Sequence, residues 1–124
     1  MKMLFLDVHN NKLKLVNTNG LDDYYKLIGC RTIDIIHRRI GDIEVEIVLD
    51  DEGCLVENPK VSAIDIIGAP MLFGNLLIAS CRVTDDSELT ELTKEEVYRI
   101  MDNIATITTS IYKEPYPVFV EVDY

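Results

Sequence analysis

Residues 33 to 50 read IDIIHRRIGDIEVEIVLD, and no other stretch of the chain restricts its fold so tightly. Apolar and polar residues alternate on both sides of Gly41–Asp42, which is the period of a strand with one buried face. Gly-Asp suits a two-residue hairpin loop. That loop predicts Ile40 opposite Ile43, Arg39 opposite Glu44, Arg38 opposite Val45 and His37 opposite Glu46. Directly opposed side chains in antiparallel strands are neighbours. Arg39–Glu44 and His37–Glu46 are therefore expected as exposed charge pairs, each contributing roughly 0.2–1 kcal/mol. Arg38 falls on the other face, with Ile36, Ile40, Ile43, Val45 and Ile47. A guanidinium there needs a carboxylate or a phosphate. Asp34, on the same side, is the expected carboxylate; a phosphorylated ligand is the alternative.

The remaining segments read as further strands and helices. Residues 2 to 17 alternate around the turn residues HNN, predicting a hairpin. Leu21, Tyr24, Tyr25 and Ile28 fall at helical spacing and Gly29 is a stop signal, so a short helix is expected there. DDEG at 50 to 53 predicts a turn, and GAPMLFGNLLIASCRV a single buried strand interrupted at Gly74. Glycine inside a strand often marks a bulge or a close approach by a backbone or ligand. TDDSELTEL predicts a solvated acidic loop. Thr93 with Glu96 forms a capping box, opening a helix expected to reach about residue 106. Its stripe of Val97, Ile100, Met101 and Ile104 suits packing on a sheet. In the last segment Pro115 and Pro117 predict a loop or edge, and VFVEV a closing strand. Together these predict an α+β fold: a mainly antiparallel sheet of roughly five to seven strands, one long helix in the C-terminal half, and one or two short helices.

The 124 residues are enough for one hydrophobic core and too few for two, so a single domain over 1–124 is expected. The 48% hydrophobic and 27% charged content is that of a soluble globular chain. No apolar run approaches the roughly 20 residues that span a bilayer, and the amino terminus lacks a signal-peptide pattern. A cytoplasmic location is expected. Cys30, Cys54 and Cys81 are irregularly spaced, which predicts reduced, mostly buried thiols. With His9 and His37 far apart, no metal site is expected. A net charge of −10 opposes direct binding to nucleic acid or anionic membrane and suits a basic protein partner.

No P-loop, GxGxxG, GxSxG or HExxH is present. The adjacent carboxylates Asp22–Asp23, Asp50–Asp51–Glu52, Asp85–Asp86 and Glu95–Glu96 stand in turns or helix starts, where acids are usually solvated or compensate the helix dipole. The chain is expected to be non-enzymatic, with no catalytic residue and no cofactor.

Four stretches, GCRTIDIIHRRIG, LDDEGCLVENPKVSAID, GAPMLFGNLLIA and LTELTKEEVYRIM, resemble the DUF3846 family over a core from Gly29 to about Asn103. That family is one of small proteins carried by phages and mobile elements of Gram-positive bacteria. The resemblance implies a small accessory phage protein, soluble in the host bacterial cytoplasm and directed against host defence. Two mechanisms suit such a protein. In the first it sequesters a nucleotide-derived immune signal in a pocket, which a second subunit of an expected homo-oligomer completes. Phe73, Tyr24 and Tyr25 would stack on a base, Asn75 would read its edge, and Arg38 and Arg31 would hold phosphates. In the second it is an acidic protein-interaction inhibitor, a nucleic-acid mimic being one form of it, whose carboxylates at Asp50 to Glu52 and Asp85 to Glu91 face a basic defence protein.

Overall fold

The computed structural model of the protein describes residues 1–81 and 89–124. Its first hairpin is β1 (Lys2–Asp7) and β2 (Lys12–Asn17), in register from Lys2–Asn17 to Asp7–Lys12. Helix α1 (Leu21–Ile28) follows and stops where Gly29 takes a left-handed conformation (φ 77°), a geometry other residues resist. β3 (Ile33–Ile40) and β4 (Ile43–Asp50) form the expected hairpin, with Arg39 across from Glu44, Arg38 from Val45 and His37 from Glu46. Gly41 carries a positive φ of 61° at the first loop position. A Cβ built there would lie 2.5 Å from Asn103 Nδ2, so glycine is needed twice over.

β5 (Val61–Ile64), β6 (Pro70–Phe73) and β7 (Leu76–Ser80) come next. They are followed by α2 (Lys94–Met101), β8 (Ile104–Ile107), β9 (Tyr116–Phe119) and β10 (Val122–Asp123). The strands form two sheets. One is antiparallel in the order β10-β3-β4-β7-β1-β2; the other runs β6-β5-β9-β8, with β5 and β9 parallel. The large core lies between the sheets and includes Leu4, Leu6, Ile47, Ile78, Tyr116 and Phe119. The opposite face of the six-stranded sheet buries Met3, Phe5, Val48 and Leu77 against Tyr24 and Ile28 of α1. The central strands β1 and β7 are thus apolar on both faces, as strands covered on both sides must be.

This architecture corrects the expected one in several places. One sheet of five to seven strands is replaced by two sheets with ten strands among the described residues. The long helix in the C-terminal half is eight residues, Lys94–Met101. Its capping box is present, with Thr93 Oγ1 accepting from Glu96 N at 3.1 Å and Glu96 Oε1 from Thr93 N at 2.9 Å. It ends because Asp102 and Asn103 close the last turn and the β-branched run from Ile104 pairs with β9 instead. Ile100 is buried, whereas Met101 is 45% exposed. The segment around Gly74 is two strands rather than one, because Gly74 (φ 80°) turns the chain out of the smaller sheet into the larger. β9 lies inside its sheet despite Pro117. It meets β5 only at Phe119–Ala63, so Pro117 stands outside the two-sided stretch. VFVEV is no single strand either. Glu121 (φ 55°) kinks it, and its carbonyl accepts from Gly41 N at 3.0 Å where the chain crosses to β10. Cys54 is exposed and Cys30 and Cys81 are half-buried, so the thiols are less shielded than their apolar neighbours suggested. Asp85–Asp86, and the acidic stretch from Asp85 as far as Glu88, lie outside the described residues. Among the described residues, no helix is long and apolar enough to cross a membrane.

Candidate functional site

The six side chains expected to hold a nucleotide are dispersed. Tyr24 is 8% exposed within the small core under α1. Tyr25 is half-buried, and its carbonyl closes the helix by accepting from Gly29 N at 2.9 Å. Arg31 is exposed just beyond. Phe73 ends β6, paired with Val61 in the smaller sheet, and Asn75 leads into the larger one, so the two never share a strand face. Asn75 is 7% exposed; its Oδ1 accepts from Val8 N at 2.9 Å and its Nδ2 donates to the Leu27 carbonyl at 3.4 Å. Its amide therefore ties β1 to the end of α1. Arg38 stands across from Val45 in the large core, on the sheet face opposite Tyr24. A depression beside the start of α1 holds about 380 Å³ and is lined by Asn19, Gly20, Leu21, Asp22, Asp23 and Lys26. It includes none of the six, and its two carboxylates disfavour phosphate.

The charged triplet of β3 resolves differently for each member. His37 lies 3.3 Å from both Glu46 and Glu44, so Glu44 turns to the histidine although its backbone stands across from Arg39. Among the described residues, Arg38 does not pair with Asp34. Its Nη1 donates to the His37 carbonyl at 2.7 Å and its guanidinium stacks 4.6 Å from the Tyr124 ring centre. Asp34 accepts from Ile35 N at 2.9 Å. Arg38 Nε is shielded from solvent and has no hydrogen-bond partner among the described residues.

Two arrangements escaped sequence reasoning. Lys60 is 8% exposed, donates from Nζ to Asn11 Oδ1 at 2.8 Å, and lies 4.3 Å and 4.8 Å from the ring centres of Tyr116 and Tyr112. The Tyr116 hydroxyl donates to the Val61 carbonyl at 2.8 Å, and that of Tyr112 to the Asn58 carbonyl. Burial lowers the pKa of Lys60, and Glu114 and Asp7 partly restore it. The amine clamps the first hairpin, β5 and the C-terminal segment together. Only the tyrosines of IYKEPYP hinted at it, and nothing local paired them with Lys60.

The second arrangement is the β5–β6 turn. Asp65 Oδ1 accepts from Ile67 N at 3.0 Å and from Ala69 N at 2.8 Å. Asp65 N donates to the Ala69 carbonyl at 2.9 Å, and Gly68 N to the Asp65 carbonyl at 3.0 Å. This bonded turn holds Ile66 and Ile67 outward, 81% and 85% exposed. The sequence signal was available: two adjacent β-branched apolar residues between Asp65 and Gly68, both turn formers.

Neither thiol with a shifted pKa is activated. Burial raises both Cys30 and Cys81, with Asp50 adding to the first and Glu44, Glu46 and Glu96 to the second. Among the described residues, no group of three or more His, Cys, Asp or Glu side chains is placed to hold a metal ion.

A family model described as "Domain of unknown function (DUF3846)" matches residues 1–105. The match includes the first hairpin, which lay outside the core expected from Gly29. It ends within β8, yet Tyr116, Val118, Phe119 and Val122 beyond it complete the large core. No curated protein and no solved structure matches the chain.

Proposed function

Because the chain belongs to the DUF3846 family, whose description assigns no activity, we propose from its surface that it is a non-enzymatic protein-interaction module. It docks the Ile66–Ile67 turn into an apolar cleft of a partner with a basic rim. One observation carries this reading: two neighbouring isoleucines stay over four-fifths exposed on a turn that Asp65 locks in place. A preorganised turn loses little conformational entropy on binding. Burying each isoleucine contributes on the order of 1.5–3 kcal/mol. The net charge of −10 favours a basic surface around the cleft and repels anionic membranes and nucleic acid. The mobile-element context implied by the family resemblance makes a host defence protein the partner class.

The other reading, sequestration of a nucleotide signal, is the weaker. The Asn75 amide and the Arg38 guanidinium, its base-edge and phosphate groups, are engaged elsewhere and stand apart. Both readings meet in one experiment. A photo-crosslinking residue replaces Ile67, and another replaces Lys14 on β2 as a control. The protein captured only at position 67 is identified, purified and titrated against wild type and the Ile66→Ser/Ile67→Ser variant. A loss of more than about 100-fold in affinity with an unchanged fold supports the module. Equal capture at both positions, or unchanged affinity, overturns it. Cyclic nucleotides titrated in parallel that bind at micromolar levels would restore the alternative.

A further inference from the structure

Among the described residues, the outer edge of β3 is unpaired over most of its length. In the six-stranded sheet β10 covers β3 only at Arg39 and Ile40, and among the described residues nothing pairs with that edge from Ile33 to His37. Its polar backbone groups point outward at the odd positions. Gly41 N reaches the Glu121 carbonyl on that side, and among the described residues Ile35 N and the His37 carbonyl are met by the adjacent side chains of Asp34 and Arg38. An exposed row of strand donors and acceptors is a template for another strand.

We propose that a second copy of this chain fills it, β3 against β3 in antiparallel pairing about a two-fold axis at Ile35. The outward odd residues then form the hydrogen-bonded pairs Ile33–His37, Ile35–Ile35 and His37–Ile33. This register occupies the gap and ends before β10. The apolar content of the strand meets itself: Ile35, 45% exposed in the single chain, packs on its symmetry mate. Charge also matches. Asp34 and Arg38 share the other face, and in this register each Asp34 lies diagonal to the Arg38 of the other copy, within reach of a long side chain. Their present bonds to Ile35 N and the His37 carbonyl are the ones the incoming strand replaces. Arg38 Nε, shielded and without a partner among the described residues, then gains a carboxylate. The self-association is independent of the Ile66–Ile67 turn.

Sedimentation velocity of the full chain over about 1–500 µM tests this, a range suited to a short interface. Wild type dimerises in that range. Ile35→Pro removes an outward N–H without touching the β3–β4 bonds, so a folded monomer is expected. Arg38→Asp, which sets acid against acid, weakens the dimer at least about 10-fold, and the charge exchange D34R/R38D restores it to within roughly 3-fold. In a Cys54→Ser background, Ile35→Cys forms a disulfide across the axis and Lys14→Cys on β2 does not. A monomer at every concentration overturns the proposal, as does a dimer indifferent to Ile35→Pro. If instead Ile35→Pro abolished capture at position 67 in a monomeric chain, the edge would belong to a partner's strand. Loss of dimer only in Ile66→Ser/Ile67→Ser would assign self-association to the turn and overturn this interface.

Discussion

Replacing Asn75 by Ala separates a structural amide from a ligand-reading one. Asn75 Oδ1 is the hydrogen-bond acceptor of Val8 N, and Val8 is 0% exposed. Removing the acceptor leaves a backbone N–H unpaired where water is excluded, which costs about 1–3 kcal/mol. The second bond, to the Leu27 carbonyl at 3.4 Å, is long and contributes little. The expected destabilisation is therefore about 2 kcal/mol. With unfolding entropy of roughly 2.1 cal/mol/K per residue, that lowers Tm by about 8 °C. Thermal and urea denaturation followed by circular dichroism read both quantities. Asn75→Asp adds a sign test. A carboxyl buried beside the Leu27 carbonyl has a folded pKa above its unfolded one. Its contribution is then fully present below the unfolded pKa of about 3.9 and lost as pH rises through the folded value, whereas the cost of Ala does not vary with pH. An Asn75→Ala protein as stable as wild type would refute the account of this residue. If that same protein had lost affinity for a cyclic nucleotide, Asn75 would be a ligand group after all.

Gly41→Ala forces a Cβ to a positive φ and against Asn103; a loss of about 1–3 kcal/mol is expected, and Asn103→Ala should recover only the part due to contact, as denaturation of the double variant would show. Lys60→Met keeps the shape but removes a buried charge, so stability at pH 7 is expected within about 1 kcal/mol of wild type. Because the folded pKa of Lys60 is lowered, wild type should gain on this variant as pH rises from that lowered value to the ordinary lysine value of 10.5, and urea midpoints across that range check the sign. Alkylation followed by peptide mass spectrometry should label exposed Cys54 first; faster labelling of Cys30 or Cys81, whose burial raises their pKa, would contradict their surroundings.

The elements legible in the sequence are those whose signals are local. Alternation around Gly41–Asp42 set the β3–β4 register residue by residue, because a two-residue loop leaves one pairing that buries Ile40, Ile43, Val45 and Ile47 together. The first hairpin, the Gly29 stop and the Thr93–Glu96 box were legible for the same reason: each depends on neighbours in the chain. The partners of Arg38, Asn75 and Lys60 come from distant segments, and no spacing rule names Tyr124, Val8 or Tyr116 as the group that meets them. Tertiary structure likewise decided that the apolar run around Gly74 divides between sheets, that α2 yields its last turns to β8, and that Pro117 sits in an interior strand. A β-branched apolar segment satisfies its backbone equally well in any sheet. Which sheet it joins is decided by the core it helps to fill, and that core exists only once segments remote in sequence have come together.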